Sequence, residues 1–260
     1  MPELLRTCLI VCPLVFLAGF VDSVAGGGGI ISIPAYMIAG LPTKAALGTN
    51  KFAMSFGTAL SSWKYARSGN VLLNVAVISA AGSIAGSFIG TNLALIIPDS
   101  ALKITLLIIL PVVAIFLAVK RNFGGDGSVI KHSGFKLWVL SFAIGLFIGC
   151  YDGLVGPGTG TFLIMAFSAI LGTDLLKSSG CAKVSNLASN LTSLAVYAIN
   201  GQIIYLVALP AAVFCMTGNF IGAKYAISHG SRGVRKVMFA VLFLMIVKII
   251  LGTAGVDFGG

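Results

Sequence analysis

The sequence predicts an all-α, polytopic integral membrane protein made of two inverted-topology repeats. Each repeat is expected to hold a Gly-rich broken helix, as half-helices or a re-entrant hairpin, plus about three full transmembrane spans. Three observations predict this. The chain is 58% hydrophobic and only 9% charged, whereas a water-facing domain carries about a quarter of its residues as charges. Apolar runs recur at the length a bilayer core of about 30 Å demands, about 20 residues per helix. Motifs of the first half also return some 130 residues later.

The same composition excludes several function classes. A soluble enzyme or a disordered chain would need more charge, and a nucleic-acid reader would need Lys and Arg clustered outside apolar runs, so no nucleic-acid partner is expected. The lipid bilayer is the partner that the apolar runs require. The net charge of +10, from 17 basic against 7 acidic residues, reads as Lys and Arg retained on cytoplasmic loops.

The first run, 4–22, follows Arg6 and precedes Ser23-Val24-Ala25, which imitates a secretory signal and its cleavage site. It recurs mid-chain as 137–151, so it is read as part of the fold. Run 30–40 has only about a dozen residues and follows the glycines at 26–29, which makes it a half-helix. Runs 44–64, 71–97 and 101–119 are full spans. In the second of these Gly82, Gly86 and Gly90 recur every four residues, the spacing of a close helix crossing. A polar linker follows, and then the pattern starts again with 137–151, a short run 160–172, and full spans 178–199, 203–224 and 234–252. The expected units are a first repeat at 1–120, a cytoplasmic linker at 121–136 and a second repeat at 137–260.

The duplication is legible residue by residue. GFVDSVAGGGG at 19–29 answers to GCYDGLVGPGTG at 149–160, placing Asp22 opposite Asp152. After a two-residue insertion Lys51 faces Lys183, Tyr65 faces Tyr197, and GSFIG at 86–90 faces GNFIG at 218–222. Loop charge then orients the halves. Lys64 and Arg67 mark one loop of the first half while its counterpart around Asn200 is neutral, and Lys224, Arg232, Arg235 and Lys236 mark the other loop of the second half. The bias swaps between corresponding loops, so the positive-inside rule makes the repeats inverted, with the linker 120–136 cytoplasmic and the C-terminus extracytoplasmic.

Polar residues inside the apolar runs carry the chemistry. Lys51 lies about 10 Å deeper than Lys44 along a helix, and a lysine at mid-span costs about 2.5 to 3.5 kcal/mol on insertion scales. The duplication keeps two such lysines, Lys51 and Lys183. Brought together around a pseudo-two-fold axis they would repel unless an anion lay between them. At an effective dielectric near 20, an anion about 4 Å from one ammonium gains roughly 4 kcal/mol before desolvation. Thr49, Asn50 and Ser55 beside Lys51, and Ser185, Asn186, Ser189 and Asn190 beside Lys183, add hydroxyl and amide donors at helical spacing. The breaks at Gly27, Gly28 and Gly29 and at Gly158, Thr159 and Gly160 expose backbone N–H groups and the positive end of a helix dipole. Asp22 and Asp152 are placed to pair with a lysine, to cap a turn, or to carry a coupling proton.

Cys8, Cys12, Cys150, Cys181 and Cys215 are odd in number and scattered among apolar residues. They read as small buried hydrophobes, with neither a disulfide frame nor a metal site. No catalytic residue, metal or cofactor is expected, because His132 and His229 fall in loops and no Walker loop follows the glycines.

GFVDSVAGGGGIISIP with LGTNK, and GCYDGLVGPGTGTF with AKVSNLASN, resemble the TauE/SafE sulfite-exporter family, also called the toluene sulfonate uptake permease family. The resemblance runs over nearly the whole chain. It implies a secondary carrier for a small sulfur-containing anion at a bacterial inner membrane: sulfite, or an organosulfonate such as sulfoacetate, isethionate or taurine. It assigns motif roles to Asp22, Gly26 to Gly29, Thr49, Asn50 and Lys51, and to Asp152, Gly156, Gly158, Gly160, Lys183 and Asn186. TNK of the first half becomes CAK in the second, so Thr49 and Asn50 lack equivalents and an asymmetric site is expected. An anion channel and a carrier for a non-sulfur carboxylate are the competing readings. The sequence leaves proton coupling and a homodimer open.

Overall fold

Polar residues are turned inward and apolar ones outward along the long helices, the reverse of a soluble protein. Ser79, Ser83, Ser87 and Thr91 of one helix are buried while its Leu73, Val77, Ile84 and Phe88 are exposed, as lipid-facing residues should be. The computed structural model describes residues 2–119 and 131–253; most of the expected linker and the tail from 254 onward lie outside the described residues.

Within them the chain is helical: α1 (Pro2–Ala25), α2 (Gly29–Ile38), α3 (Thr43–Arg67), α4 (Leu73–Ile96), α5 (Asp99–Val119), α6 (Gly134–Leu154), α7 (Thr159–Ala166) continued by a π-helical turn (Phe167–Leu171), α8 (Leu175–Ile199) and α9 (Tyr205–Thr253). Four segments are long and apolar enough to cross a membrane: Leu4–Ala25, Leu73–Ile96, Gly134–Leu154 and Tyr205–Val234. Helices α3 and α8 have 25 residues each, ample length. Their hydropathy is lowered by the Ser, Thr, Asn and Lys side chains they bury. Helix α9 bends at Gly230, where φ is 59° and ψ −157°, so α9 supplies two segments where the first half uses α4 and α5.

Two long-helix crossings are built on glycine. Gly82, Gly86 and Gly90 of α4 lie on the Phe142, Leu146 and Cys150 carbonyls of α6, so close that a methyl group would overlap them. Gly218 and Gly222 of α9 lie in the same way on the Phe16 and Phe20 carbonyls of α1. Without a hydrophobic drive inside lipid, such close backbone approach is what holds helices together.

The register of these contacts fixes helix directions. Residue numbers rise together in α1 and α9, from the pair 16 and 218 to the pair 20 and 222. They rise together in α3 and α9, where Gly48 meets the Gln202 carbonyl and Lys64 meets Phe220. They also rise together in α4 and α6 and in α4 and α8, where Ser79 bonds Ser185 and Thr91 bonds Ser193. Helices α3 and α8 oppose each other: Gly48 lies by Tyr197, while Thr58 reaches Asn190. Hence α1, α3 and the first part of α9 run one way, and α4, α6 and α8 run the other.

Contacts also come in matched pairs. Gly48 abuts the Gln202 carbonyl and Gly180 abuts the Asn70 carbonyl. Asp99 accepts from the backbone N–H groups of Thr43 and Lys44, both at 3.0 Å, and Ser231 accepts from Leu176 at 3.3 Å. Each pair is one interaction repeated 132 residues on.

Candidate substrate site at the crossing of the two glycine breaks

Helix cannot continue through Gly26, Gly156 and Gly158, whose φ angles are 79°, 91° and 79°, values that glycine alone adopts without strain. Chain thus leaves helix after Ala25 and after Leu154, and the two breaks cross backbone on backbone. Gly26 and Gly160 touch with no room for a side chain on either. Thr161 seals the crossing by donating its N–H to the Gly26 carbonyl at 3.2 Å and its hydroxyl to the Ala25 carbonyl at 2.7 Å. Gly29 and Thr159 open α2 and α7 beside it, and the first turn of a helix leaves N–H groups with no intrahelical partner.

The two lysines do not confront each other bare. Lys51 Nζ lies 2.5 Å from Asp152 Oδ2, and Lys183 Nζ lies 2.7 Å from Asp22 Oδ2. Each pair joins the first half of the chain to the second. All four residues are buried, Lys183 fully. Such pairs persist at depth only when both charges stay matched, since removing one partner of a buried pair costs about 3–5 kcal/mol.

The two pairs differ in their surroundings. Lys51 also donates to Asn190 Oδ1 at 3.0 Å, and the Ser189 hydroxyl donates to Asp152 Oδ2 at 2.5 Å. The positions corresponding to Ser189 and Asn190 in the first half are Gly57 and Thr58, so the other pair has no matching amide and hydroxyl from α3.

A cavity of about 20 Å³ lies at this junction, enough for about one water molecule. Its wall includes Asp22, Asn50, Lys51, Asp152, Asn186 and Asn190, with Gly26, Gly29, Gly156, Thr159 and Gly160 from the breaks and Met54 from α3. Asn50 Oδ1 is buried there without a hydrogen-bond partner.

Of the residues singled out from sequence, the structure gathers Lys51, Asn50, Asn186, Gly29, Thr159, Gly160, Asp22 and Asp152 on this cavity. Lys183 stands behind Asp22, enclosed and away from the cavity wall. Gly27, Gly28 and Gly158 lie in the breaks themselves; Gly28 packs against Ala18 and Asp22. Ser185 turns away and donates to Ser79 of α4 at 2.9 Å. Thr49 also faces elsewhere, accepting the Ile204 N–H at 3.1 Å. Its counterpart Cys181 receives the Leu72 N–H at 3.4 Å. The sulfur therefore does for one half what the hydroxyl does for the other, and the equivalence expected to be missing is present in chemistry though not in residue type. Met54, a cavity residue that sequence reasoning passed over, carries no signal beyond its place one turn after Lys51. Asn190, first noted only as a donor beside Lys183, serves Lys51 instead.

The sulfite exporter TauE/SafE family model matches residues 11–249. A probable membrane transporter protein of a Sinorhizobium species is 35% identical over 235 residues, which is 90% of this chain and 89% of that one. Another from Haemophilus influenzae is 31% identical over 235 residues, 90% of this chain and 91% of that one. A third, from Escherichia coli, is 28% identical over 239 residues, 92% of this chain and 88% of that one. No solved structure matches. Matched along most of its length by the family model and by relatives of similar size, the chain belongs to the sulfite exporter TauE/SafE family of membrane transporters.

Proposed function

We propose that the protein is a secondary carrier for a small sulfur-containing anion, sulfite or an organosulfonate, working at a bacterial inner membrane by alternating access of two inverted repeats around the cavity. The observation that carries this is the exchange of lysine–carboxylate pairs between the two halves, Lys51 with Asp152 and Lys183 with Asp22, at a membrane-buried cavity bounded by both glycine breaks. Lys51, the amides of Asn50, Asn186 and Asn190, and the N-terminal turns of α2 and α7 are the donors an oxyanion needs.

The opposed directions of α1 and α6, of α3 and α8, and of α4 and the first part of α9 support repeats at 1–120 and 137–260 that are inverted in the membrane, as the loop charges also do. A cavity for about one water is too small for any sulfur oxyanion, so binding requires the site to widen. That favours a carrier over a channel, which would hold an open path. The family name supports the sulfur anion.

Thermal stability of the detergent-purified protein should rise with at least one of sulfite, isethionate, sulfoacetate or taurine, by about 2.7 kcal/mol at a hundredfold excess over the dissociation constant. In Lys51→Ala the increment over the variant's own baseline should vanish, whereas Lys44→Ala, which loses a bond to the Leu95 carbonyl and a charge near Asp99, both away from the cavity, should keep it. Equal retention in both variants would remove Lys51 from the site. A carboxylate that stabilises better than every sulfur anion would change the substrate class.

A further inference from the structure

The cavity is short of positive charge for the ligand just assigned to it. Two carboxylates, Asp22 and Asp152, face it with one ammonium, Lys51, and that ammonium is already bound to Asp152. The unpartnered Asn50 Oδ1 adds a further acceptor. A fully ionised oxyanion brings only acceptors and negative charge to such a wall. The four buried charges sum to zero when the cavity is empty, and an anion alone would leave the site at minus one, with only the partial charges of amides and helix N-terminal turns to offset it.

Resting on the carrier reading, we propose that each anion is carried together with one proton, that Asp152 holds this proton, and that the Lys183–Asp22 pair is a fixed strut which does not titrate in the cycle. Asp152 takes the proton of a hydronium ion on its carboxylate oxygen, leaving neutral water, and its charge-assisted bond from Lys51 is lost. The freed ammonium donates to the anion instead. The loaded site is then neutral again, and release of the anion and the proton on the other side restores the Lys51–Asp152 pair. The covalent changes are the O–H formed on Asp152 and the O–H broken in hydronium, and both are reversed on release.

The asymmetry between the pairs selects Asp152. Lys51 lines the cavity, so it can swing to a ligand without crossing another side chain; Lys183 is fully enclosed and has only Asp22 to serve. Ser189 and Asn190 give the Lys51–Asp152 pair hydrogen bonds that persist when the ion contact opens. The charged and titratable groups around Asp152 are Lys51 of α3, Asp22 of α1 with Lys183 of α8 behind it, Tyr197 of α8 and the adjoining Tyr151. Helices α4 and α7 bring no titratable side chain.

The test uses the full chain in liposomes and isethionate, a sulfonate that stays ionised across the working pH, so that any proton moved is held by the protein. Two modes are read: exchange of labelled for unlabelled isethionate at equal pH, and net accumulation against a gradient with the lumen alkaline and the membrane potential clamped. One proton per anion predicts about tenfold accumulation per pH unit and matching alkaline loss in a lumenal dye. Asp152→Asn should lose gradient-driven accumulation by a larger factor than it loses exchange; Asp22→Asn should show no such split. To cover variants that fold badly, stabilisation of the wild-type protein by isethionate is measured against pH and should strengthen as pH falls. Exchange with accumulation indifferent to the gradient would overturn the proposal, as would the split appearing in Asp22→Asn and not in Asp152→Asn. Absence of exchange with isethionate, sulfite and sulfoacetate alike would overturn the carrier reading and this inference with it.

Discussion

Four residues hold most of the proposed chemistry, and the sequence exposes them without saying how they pair. Lysine at mid-span is too costly to be incidental, and its repetition 132 residues on makes both lysines stand out. Asp22 and Asp152 stand out for the same reason. That Lys51 meets Asp152 rather than Asp22 is a long-range fact set by how two halves interlock, and nothing local encodes it. Thr49 and Ser185 look like ligands because helical spacing places them near a lysine; they face neighbouring helices instead. The strut assigned to Lys183 and Asp22 has its own consequence for stability. Asp22→Ala alone should cost about 3–5 kcal/mol by leaving Lys183 buried and uncompensated, and adding Lys183→Met should recover most of it. Denaturation in detergent of the two variants and of Lys183→Met checks this. A double variant as unstable as the sum of the singles would mean the pair does not act as a unit.

Elements were more legible than their contacts. Run lengths and glycine clusters mark where helices begin, break and end because bilayer thickness and glycine's backbone freedom act locally. Gly29–Ile38 and Thr159–Leu171 are short in structure, as the runs 30–40 and 160–172 are in sequence. Residues 203–224 and 234–252 read as two spans, and the kink at Gly230 divides α9 between them. Spacing of four residues in Gly82, Gly86 and Gly90 announces a crossing, though not that α6 is the partner. That crossing is a point of control. Gly86→Leu should destabilise the protein by more than about 1–3 kcal/mol, since its side chain would fall on the Leu146 carbonyl, and Gly218→Leu should do the same on Phe16. Ala81→Leu, on the exposed side of α4, should be neutral. Melting temperatures that rank Ala81→Leu with Gly86→Leu would show that α4 and α6 are not packed by backbone approach.

At the scale of the molecule, the matched contacts and the loop charges bear on one question, the direction of each half across the bilayer. A repeated contact such as Gly48 with Gln202 and Gly180 with Asn70 requires a two-fold relation but fits an axis in the membrane plane or along its normal. In the proposed topology the opposed running of α3 and α8 corresponds to the in-plane axis, and the charge bias supplies the absolute sense. That proposal puts the loop at 68–72 in the cytoplasm and the corresponding loop at 200–204 outside. With the five native cysteines replaced, Ser68→Cys should react with a membrane-impermeant maleimide only after the cells are opened, whereas Asn200→Cys should react in intact spheroplasts. Both variants labelled from the same side would place the axis along the normal. The glycine breaks would then enter from one face, and a site that opens alternately to the two sides would lose its symmetry argument. The opposite assignment, Ser68→Cys labelled outside and Asn200→Cys inside, would keep the inversion and exchange only which loops meet the cytoplasm, because the direction in which a proton gradient drives a symported anion does not depend on the orientation of the carrier.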